Sequence, residues 1–276
     1  MNQIELNKYK KEIANLYTSR SDSYDNSLWH KEIADRLIEY AEIKPDLDIL
    51  DIATGTGHCA ISAAKLVGSK GKVIGVDISP GMIDRARNNA KKANLDNIEF
   101  QLADGETLDF PANSFDRIFC ASAFIWMSDL DNSLRLWRNL LKSSGILGVQ
   151  AFAETAFVGG VMMQKIAAKH GIDLFFSKPT GTIEKCRNLF QKADFDCVEI
   201  KVEQTGGYIS LELAKKMYTD GKHPAPGQFT SPLARLSTAE LSQIREEFNH
   251  ELEALETEQG VWNDITTYYI YGSNKD

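Results

Sequence analysis

Three aspartates stand where an apolar run gives out: Asp51 closes "LDILD", Asp77 closes "KVIGVD" and Asp104 closes "IEFQLAD". Between the first two, "TGTG" sets Gly55 and Gly57 one residue apart. Glycines there let a ligand come within touching distance of the main chain. Carboxylates around such a turn accept hydrogen bonds and attract positive charge. One acid of this kind is ordinarily a helix cap or turn former. Three at consecutive strand ends point to a shared ligand.

Two ligand chemistries compete for that turn. Gly55, Gly57 and Ala60 satisfy G-x-G-x-x-G/A, and Asp77 lies about as far on as a ribose-binding acid should, so a nicotinamide dinucleotide fits. Asp51 argues against it. Directly before the turn, its carboxylate would face a pyrophosphate, a like-charge contact. S-adenosylmethionine carries an ammonium and a sulfonium and no phosphate. Asp51 can meet its methionine end directly or through water, while Asp77 takes the ribose hydroxyls and Asp104 the adenine amino group.

The elements around these residues alternate. "HKEIADRLIEYAEI" repeats apolar residues at helical intervals and ends before Pro45. "LDILDIA", "KVIGVDIS", "IEFQLAD", "FDRIFCASA" and "ILGVQAFA" read as five strands. Between them, "HCAISAAKLVG" is a helix stopped by Gly68, and "SPGMIDRARNNAKKANL" begins with Ser79 as N-cap and Pro80 at the first helical position. "LDNSLRLWRNLLKSSG" is a further helix with a glycine stop at Gly145. Apolar strands alternating with helices predict an α/β, doubly wound, mostly parallel sheet. Such a sheet binds its ligand at the carboxyl ends of the strands. The acids above fall at those ends.

Here the chain resembles a known family. "LDILDIATGTGHCA", "VIGVDISPGMIDRAR", "FQLADGETLDFPANSFDRIFC" and "WRNLLKSSGILGV" look like the successive motifs of class I S-adenosylmethionine-dependent methyltransferases, specifically over about residues 45–152. The resemblance implies a Rossmann-like fold, S-adenosyl-L-methionine as cofactor, and cofactor-binding roles for Asp51, Ala53, Gly55, Gly57, Asp77, Ile78, Met82, Asp104 and Gly105. Ala53 stands where many members have a first glycine. For Met82, core packing competes with contact to adenine. "LYTSRSDSYDN" is similar to the aromatic N-terminal segment of ubiquinone and menaquinone C-methyltransferases and of the biotin-pathway malonyl-carrier-protein methyltransferase, which folds over the cofactor. Tyr17 and Tyr24 match it, Tyr24 better.

The pattern divides the chain into an N-terminal helical cap (1–45), a cofactor-binding core (46–155), a lid insertion that interrupts the alternation after strand five and includes a helix and a strand of the core (156–236), and a C-terminal helix and closing strand (237–276). Within the last two, "TIEKCRNLFQKADF" reads as a helix and "DCVEIKVEQ" as a strand. "LSTAELSQIREEFNHELEALET" is a helix with the capping sequence Ser237 to Glu240, and "VWNDITTYYIYG" is a final strand.

Methyl transfer is an in-line displacement in which the cofactor carries the reactive group, so the protein must mainly position the acceptor and exclude water. A base helps only a protonated nucleophile. His30 and His223 lie in segments able to cover the site and are candidate bases, with surface placement the competing reading. Phe124, Trp126 and Met127 offer a substrate wall beyond strand four, and Phe176 and Tyr208 could line an apolar pocket within the insertion. "SAFIWMSD" lacks the NPPY-type sequence of enzymes that methylate exocyclic amines of bases or glutamine amides.

A net charge of −8 argues against a broad nucleic-acid surface. Four scattered cysteines without a CxxC pair read as buried free thiols rather than metal ligands, and neither a signal peptide nor a membrane span is evident. The expectation is a cytoplasmic enzyme, monomer or homodimer, that methylates a small organic acceptor and has no nucleic-acid or membrane partner. Two rivals stand beside it: an NAD(P)-dependent oxidoreductase, and a non-catalytic cofactor-binding subunit docked through helix 237–257.

Overall fold

The computed structural model describes residues 4–174, 179–218 and 231–273. The N-terminal stretch forms two helices, α1 (Lys8–Arg20) and α2 (Trp29–Tyr40), separated by a 3₁₀ turn at Tyr24–Asn26. Asn7 caps α1 by accepting from the Lys10 amide at 2.9 Å. Helix α2 ends at Tyr40, and Glu42 takes a left-handed φ of 47°, so the chain turns before Pro45 is reached.

Strand and helix then alternate: β1 (Asp48–Ile52), α3 (His58–Val67), β2 (Lys72–Asp77), α4 (Pro80–Lys92), β3 (Ile98–Leu102), β4 (Phe115–Cys120), α5 (Leu130–Leu140) and β5 (Leu141–Phe152). Gly68 closes α3 with φ 70°, and Ser79 caps α4 with Pro80 in its first turn, as the sequence predicts. Gly145 stops no helix. Strand β5 begins already at Leu141, because β4 pairs with its first residue before a register shift, and Gly145 lies within the strand.

The rest comprises α6 (Val158–Lys169), α7 (Ile183–Lys192), β6 (Cys197–Glu203), β7 (Gly206–Ile209), α8 (Leu211–Lys215), α9 (Thr238–Glu253), β8 (Val261–Asp264) and β9 (Thr267–Ser273). The Ser237–Glu240 capping box is formed. The expected single closing strand is two. Asp264 binds Thr266 through backbone and hydroxyl, breaking the run, so β8 turns away to pair with β7 while β9 enters the main sheet.

The main sheet runs β3-β2-β1-β4-β5-β9-β6, parallel except for β9, which is antiparallel to both neighbours. Chain direction across the sheet reverses between β1 and β4, and that switch point opens a crevice at the strand ends. One face packs α5 and α7 around Trp137, Leu134 and Phe190. The other packs α2, α3 and α4 around Leu37, Ile49 and Ala63. Burying a side chain such as Leu37 completely stabilises the fold by roughly 1.5–3 kcal/mol. A third, separate cluster joins α6, α8, α9 and β8 through Met163, Ile166, Ile244, Phe248 and Val261. Cys59, Cys120 and Cys186 are buried free thiols; Cys197, on edge strand β6, is exposed, contrary to expectation. No helix among the described residues is long and apolar enough to cross a membrane.

Candidate active site

The turn after β1 is built from left-handed residues: Ala53 (φ 54°), Gly55 (56°) and Gly57 (90°). Ala53 adopts this glycine-like conformation despite its Cβ. Gly57 is the residue before α3, and a Cβ there would lie 3.1 Å from the Phe100 ring. It shapes the turn without lining the cavity.

Asp77, at the end of β2, clamps this turn. Its Oδ2 accepts from the Gly55 amide at 2.9 Å and its Oδ1 from the Ser79 amide at 2.8 Å. The carboxylate keeps acceptor capacity for a ligand hydroxyl. Burial pushes its carboxyl up to about 6, against the pull of those amides. Asp51 lies beneath the turn, 1% exposed, accepting from Thr54 Oγ1 at 2.5 Å and the Ala60 amide at 3.1 Å. Burial pushes it up to about 7.

Asp104 follows β3. Its Oδ1 accepts from the Glu106 amide at 3.0 Å, and its Oδ2 lies 2.5 Å from Lys10 Nζ. Gly105, the next residue, is held by Trp137, whose Nε1 donates to its carbonyl at 2.8 Å. The buried α5 indole thereby ties the Asp104 loop to the core.

Asp77, Asp104, Ile78, Ala53, Gly55 and Gly105 line one cleft of about 700 Å³, part of it at the open mouth. Its roof comes from the N-terminal segment: Tyr9, Lys10, Ile13 and Tyr17 of α1, and Tyr24. Helix α1 is pinned to three strand ends, through Thr18 to Ser79 after β2, Lys10 to Asp104 after β3, and Tyr9 Oη to the Trp126 carbonyl after β4. Trp126 and Met127 complete the wall. Behind Tyr24 lies a smaller chamber lined by His30, Asp51, Thr54, Ser122 and His58, sharing Tyr24, Ala53, Gly55 and Ser122 with the main cleft. Ser122 takes a φ of 56°, and its amide donates to the buried Gln150 Oε1 at 3.0 Å.

Several expected residues lie elsewhere. Met82 is 1% exposed on the inward face of α4 beside Ile83 and Ala86, packed in the protein rather than against the cleft. Phe124 is buried against Trp137, ring centroids 5.8 Å apart, because its 3₁₀ turn points it into the α5 core. Tyr208 is 48% exposed on β7, edge-on to Trp262, in the small sheet whose pairing carries it away from the cleft. His30 does not line the main cleft. Its ring stacks on Tyr24, and burial pushes its pKa down to about 4. Phe176 and His223 lie outside the described residues. No described residue of 156–236 lines the cleft, and among the described residues its cover is the N-terminal segment.

Sequence reasoning missed Tyr9, Lys10, Ile13 and Ser122. Tyr9, Ile13 and Tyr17 recur every fourth residue and so share a helix face, a signal available in the sequence. Lys10 and Ser122 carry no comparable pattern.

A family model described as a methyltransferase domain matches residues 43–194. Aklanonic acid methyltransferase DauC of Streptomyces sp. (strain C5) is 34% identical over 154 residues, covering 55% of this chain and 69% of that protein. The ubiquinone/menaquinone biosynthesis C-methyltransferase UbiE of Shewanella sp. (strain W3-18-1) is 31% identical over 224 residues, covering 79% and 84%. Among solved structures, the YcgJ protein of Bacillus subtilis superposes with a TM-score of 0.60 at 18% identity, covering 89% of this chain and 99% of that one, a likeness of fold. With the family match spanning the turn and all three acids at the strand ends, the chain belongs to the class I S-adenosylmethionine-dependent methyltransferases.

Proposed function

We propose that this protein transfers a methyl group to a small, partly apolar acceptor of natural-product or quinone-like character. The observation that carries this reading is the pairing of Asp77 and Asp104 in one crevice with an apolar, aromatic roof, with Asp51 in the smaller chamber that adjoins it. The residues fit S-adenosylmethionine: spare acceptor capacity on Asp77 suits the ribose hydroxyls, Asp104 the adenine amino group, Ile78 the base face, and the Ala53–Gly55 backbone the amino-acid end. Asp51 faces the adjoining chamber, where a carboxylate favours an ammonium across the turn. When bound, the cofactor supplies an electrophilic methyl carbon.

The protein's own part is placement and dryness. Tyr17, Trp126 and Met127 offer an apolar surface on which a flat acceptor can lie, and Tyr9, Ile13 and Tyr24 keep water out. The relatives named above act on aklanonic acid and in ubiquinone and menaquinone biosynthesis, which supports an acceptor bearing a conjugated ring. His30, held neutral by burial, supports Tyr24 rather than taking a proton from the acceptor. The buried thiols and the charge of −8 fit a reducing cytoplasm and a protein without nucleic acid as partner.

Titration calorimetry with S-adenosylhomocysteine and with NADH tests the cofactor assignment. Binding of the first in the micromolar range, about −8 kcal/mol, and none of the second is expected. Tight NADH binding would overturn it. Transfer of labelled methyl to quinols and polycyclic phenols tests the acceptor class; transfer only on addition of a second protein would favour a partner-dependent subunit.

A further inference from the structure

Lys10 reaches from α1 into the wall of the main cleft and ends between two carboxylates. Its Nζ lies 2.5 Å from Asp104 Oδ2 and 2.7 Å from Glu106 Oε2, with the three side chains only 12%, 9% and 10% exposed. Glu106 is fastened independently, accepting from the Ser128 amide at 3.0 Å and the Asp129 amide at 2.9 Å. Asp104 in turn accepts from the Glu106 amide. Two acids from one loop thus converge on a single ammonium supplied by a helix more than ninety residues away in sequence. Burial alone would push the Lys10 ammonium down, but its bonds to Asp104 and Glu106 hold it above the ordinary lysine value. Glu106, against its own burial, is held below the carboxylate range by Lys10 and the two amides.

A tether would need only one of these pairs. Removing the ammonium would leave two neighbouring carboxylates in a wall that water barely reaches. Like charges so placed repel until one turns away or takes a proton. The Glu106 side chain is anchored by two amides and Asp104 by one, so Asp104 is the less firmly held of the two. We infer that Lys10 is a positioning residue for the purine end of the cofactor site, holding Asp104 toward the cleft as a hydrogen-bond acceptor while it pins α1 overhead. This rests on the cofactor reading above.

The experiment titrates wild type, Lys10→Met and Lys10→Met/Glu106→Gln with S-adenosylhomocysteine and with its 6-oxo analogue S-inosylhomocysteine, which offers no amino group to Asp104. Thermal unfolding confirms that each variant folds. Lys10→Met should weaken S-adenosylhomocysteine about 10- to 50-fold, as for one charge-supported hydrogen bond. It should change the analogue by no more than about threefold, because no bond of that kind is lost. Glu106→Gln added to Lys10→Met removes the repulsion and should recover about fivefold or more of the lost affinity. If Lys10→Met does not fold, Lys10→Arg keeps the charge and should bind S-adenosylhomocysteine within about threefold of wild type. Equal losses for both purines, no recovery in the double variant, unchanged affinity in Lys10→Met, or a loss above about tenfold in Lys10→Arg would each overturn the inference. Wild type that fails to bind S-adenosylhomocysteine would instead remove the cofactor reading, and this inference with it.

Discussion

Tyr24 lies flat on His30, ring centroids 4.4 Å apart and planes 12° from parallel. It also borders the glycine turn, where a Cβ on Gly55 would meet the Tyr24 ring edge at 4.0 Å. Next to it, Asp25 accepts from Thr56 Oγ1 at 2.6 Å and Asn89 Nδ2 at 3.0 Å, with His58 and Arg85 also close. The short turn that carries Tyr24 is therefore anchored to α3 and α4, and the tyrosine is held over the place where the two chambers meet.

Tyr24→Ala removes that cover and the stack. It should weaken S-adenosylhomocysteine by about 0.5–1.5 kcal/mol, the scale of an aromatic pair. Tyr24→Phe, which keeps the ring, should bind as wild type does. Calorimetry decides, and equal losses in the two variants would shift the role to the hydroxyl.

Asp77 uses two backbone amides to hold the turn and has lone pairs to spare. Asp77→Ala should weaken S-adenosylhomocysteine by roughly 1.5–3 kcal/mol, as expected for charged hydrogen bonds. Affinity unchanged in a calorimetric titration would show that the ribose does not lie there.

Burial raises Asp77 to about 6 and Asp51 to about 7, both above the ordinary 3.8. The folded, ligand-free protein then binds more protons than the unfolded chain between about pH 4 and 7, so these two groups make stability fall as pH rises through that window. A cationic ligand prefers the ionised acids, so binding should strengthen over the same window. Thermal unfolding from pH 5 to 8 with and without S-adenosylmethionine, whose sulfonium gives it a net positive charge, checks both signs: the ligand-free midpoint contribution declines while the ligand-induced gain grows. A gain that shrinks with pH would contradict the assigned charges.

Gly57 combines φ 90° with neighbours at 3.1–3.3 Å on three sides. Gly57→Ala should destabilise the fold by about 1–3 kcal/mol, as for a side chain forced into a left-handed site. The denaturant midpoint measures this. Ala53→Gly, by contrast, relieves a left-handed alanine and should not lower stability.

Trp262→Ser cuts away half of the exposed Tyr208–Trp262 pair, far from the cleft. S-adenosylhomocysteine affinity should stay at the wild-type value, and a loss measured by calorimetry would bring the β7–β8 sheet back into the site.

The strand-end placement of Asp51, Asp77 and Asp104 and the turn at Gly55 and Gly57 were legible in the sequence because they are local features: each follows directly on an apolar strand, and that order alone places them at strand ends. Met82, for which core packing and adenine contact stood level, and Phe124, expected on the substrate wall, both lie in the core. A residue one turn into a helix can face core or cleft, and only the helix's rotation against the sheet selects between them. Strand β9 shows the same limit, since its apolar run does not say that it will insert between β5 and β6 rather than extend β8.

The sequence by itself determined the doubly wound core and the acids at its crevice, since hydrophobic period, caps and turn chemistry act over a few residues. Only the tertiary structure decided what covers the crevice. The cover depends on contacts such as Lys10 with Asp104 and Tyr9 with the Trp126 carbonyl, which span about a hundred residues, and no local pattern of side chains records which distant partner a helix will meet.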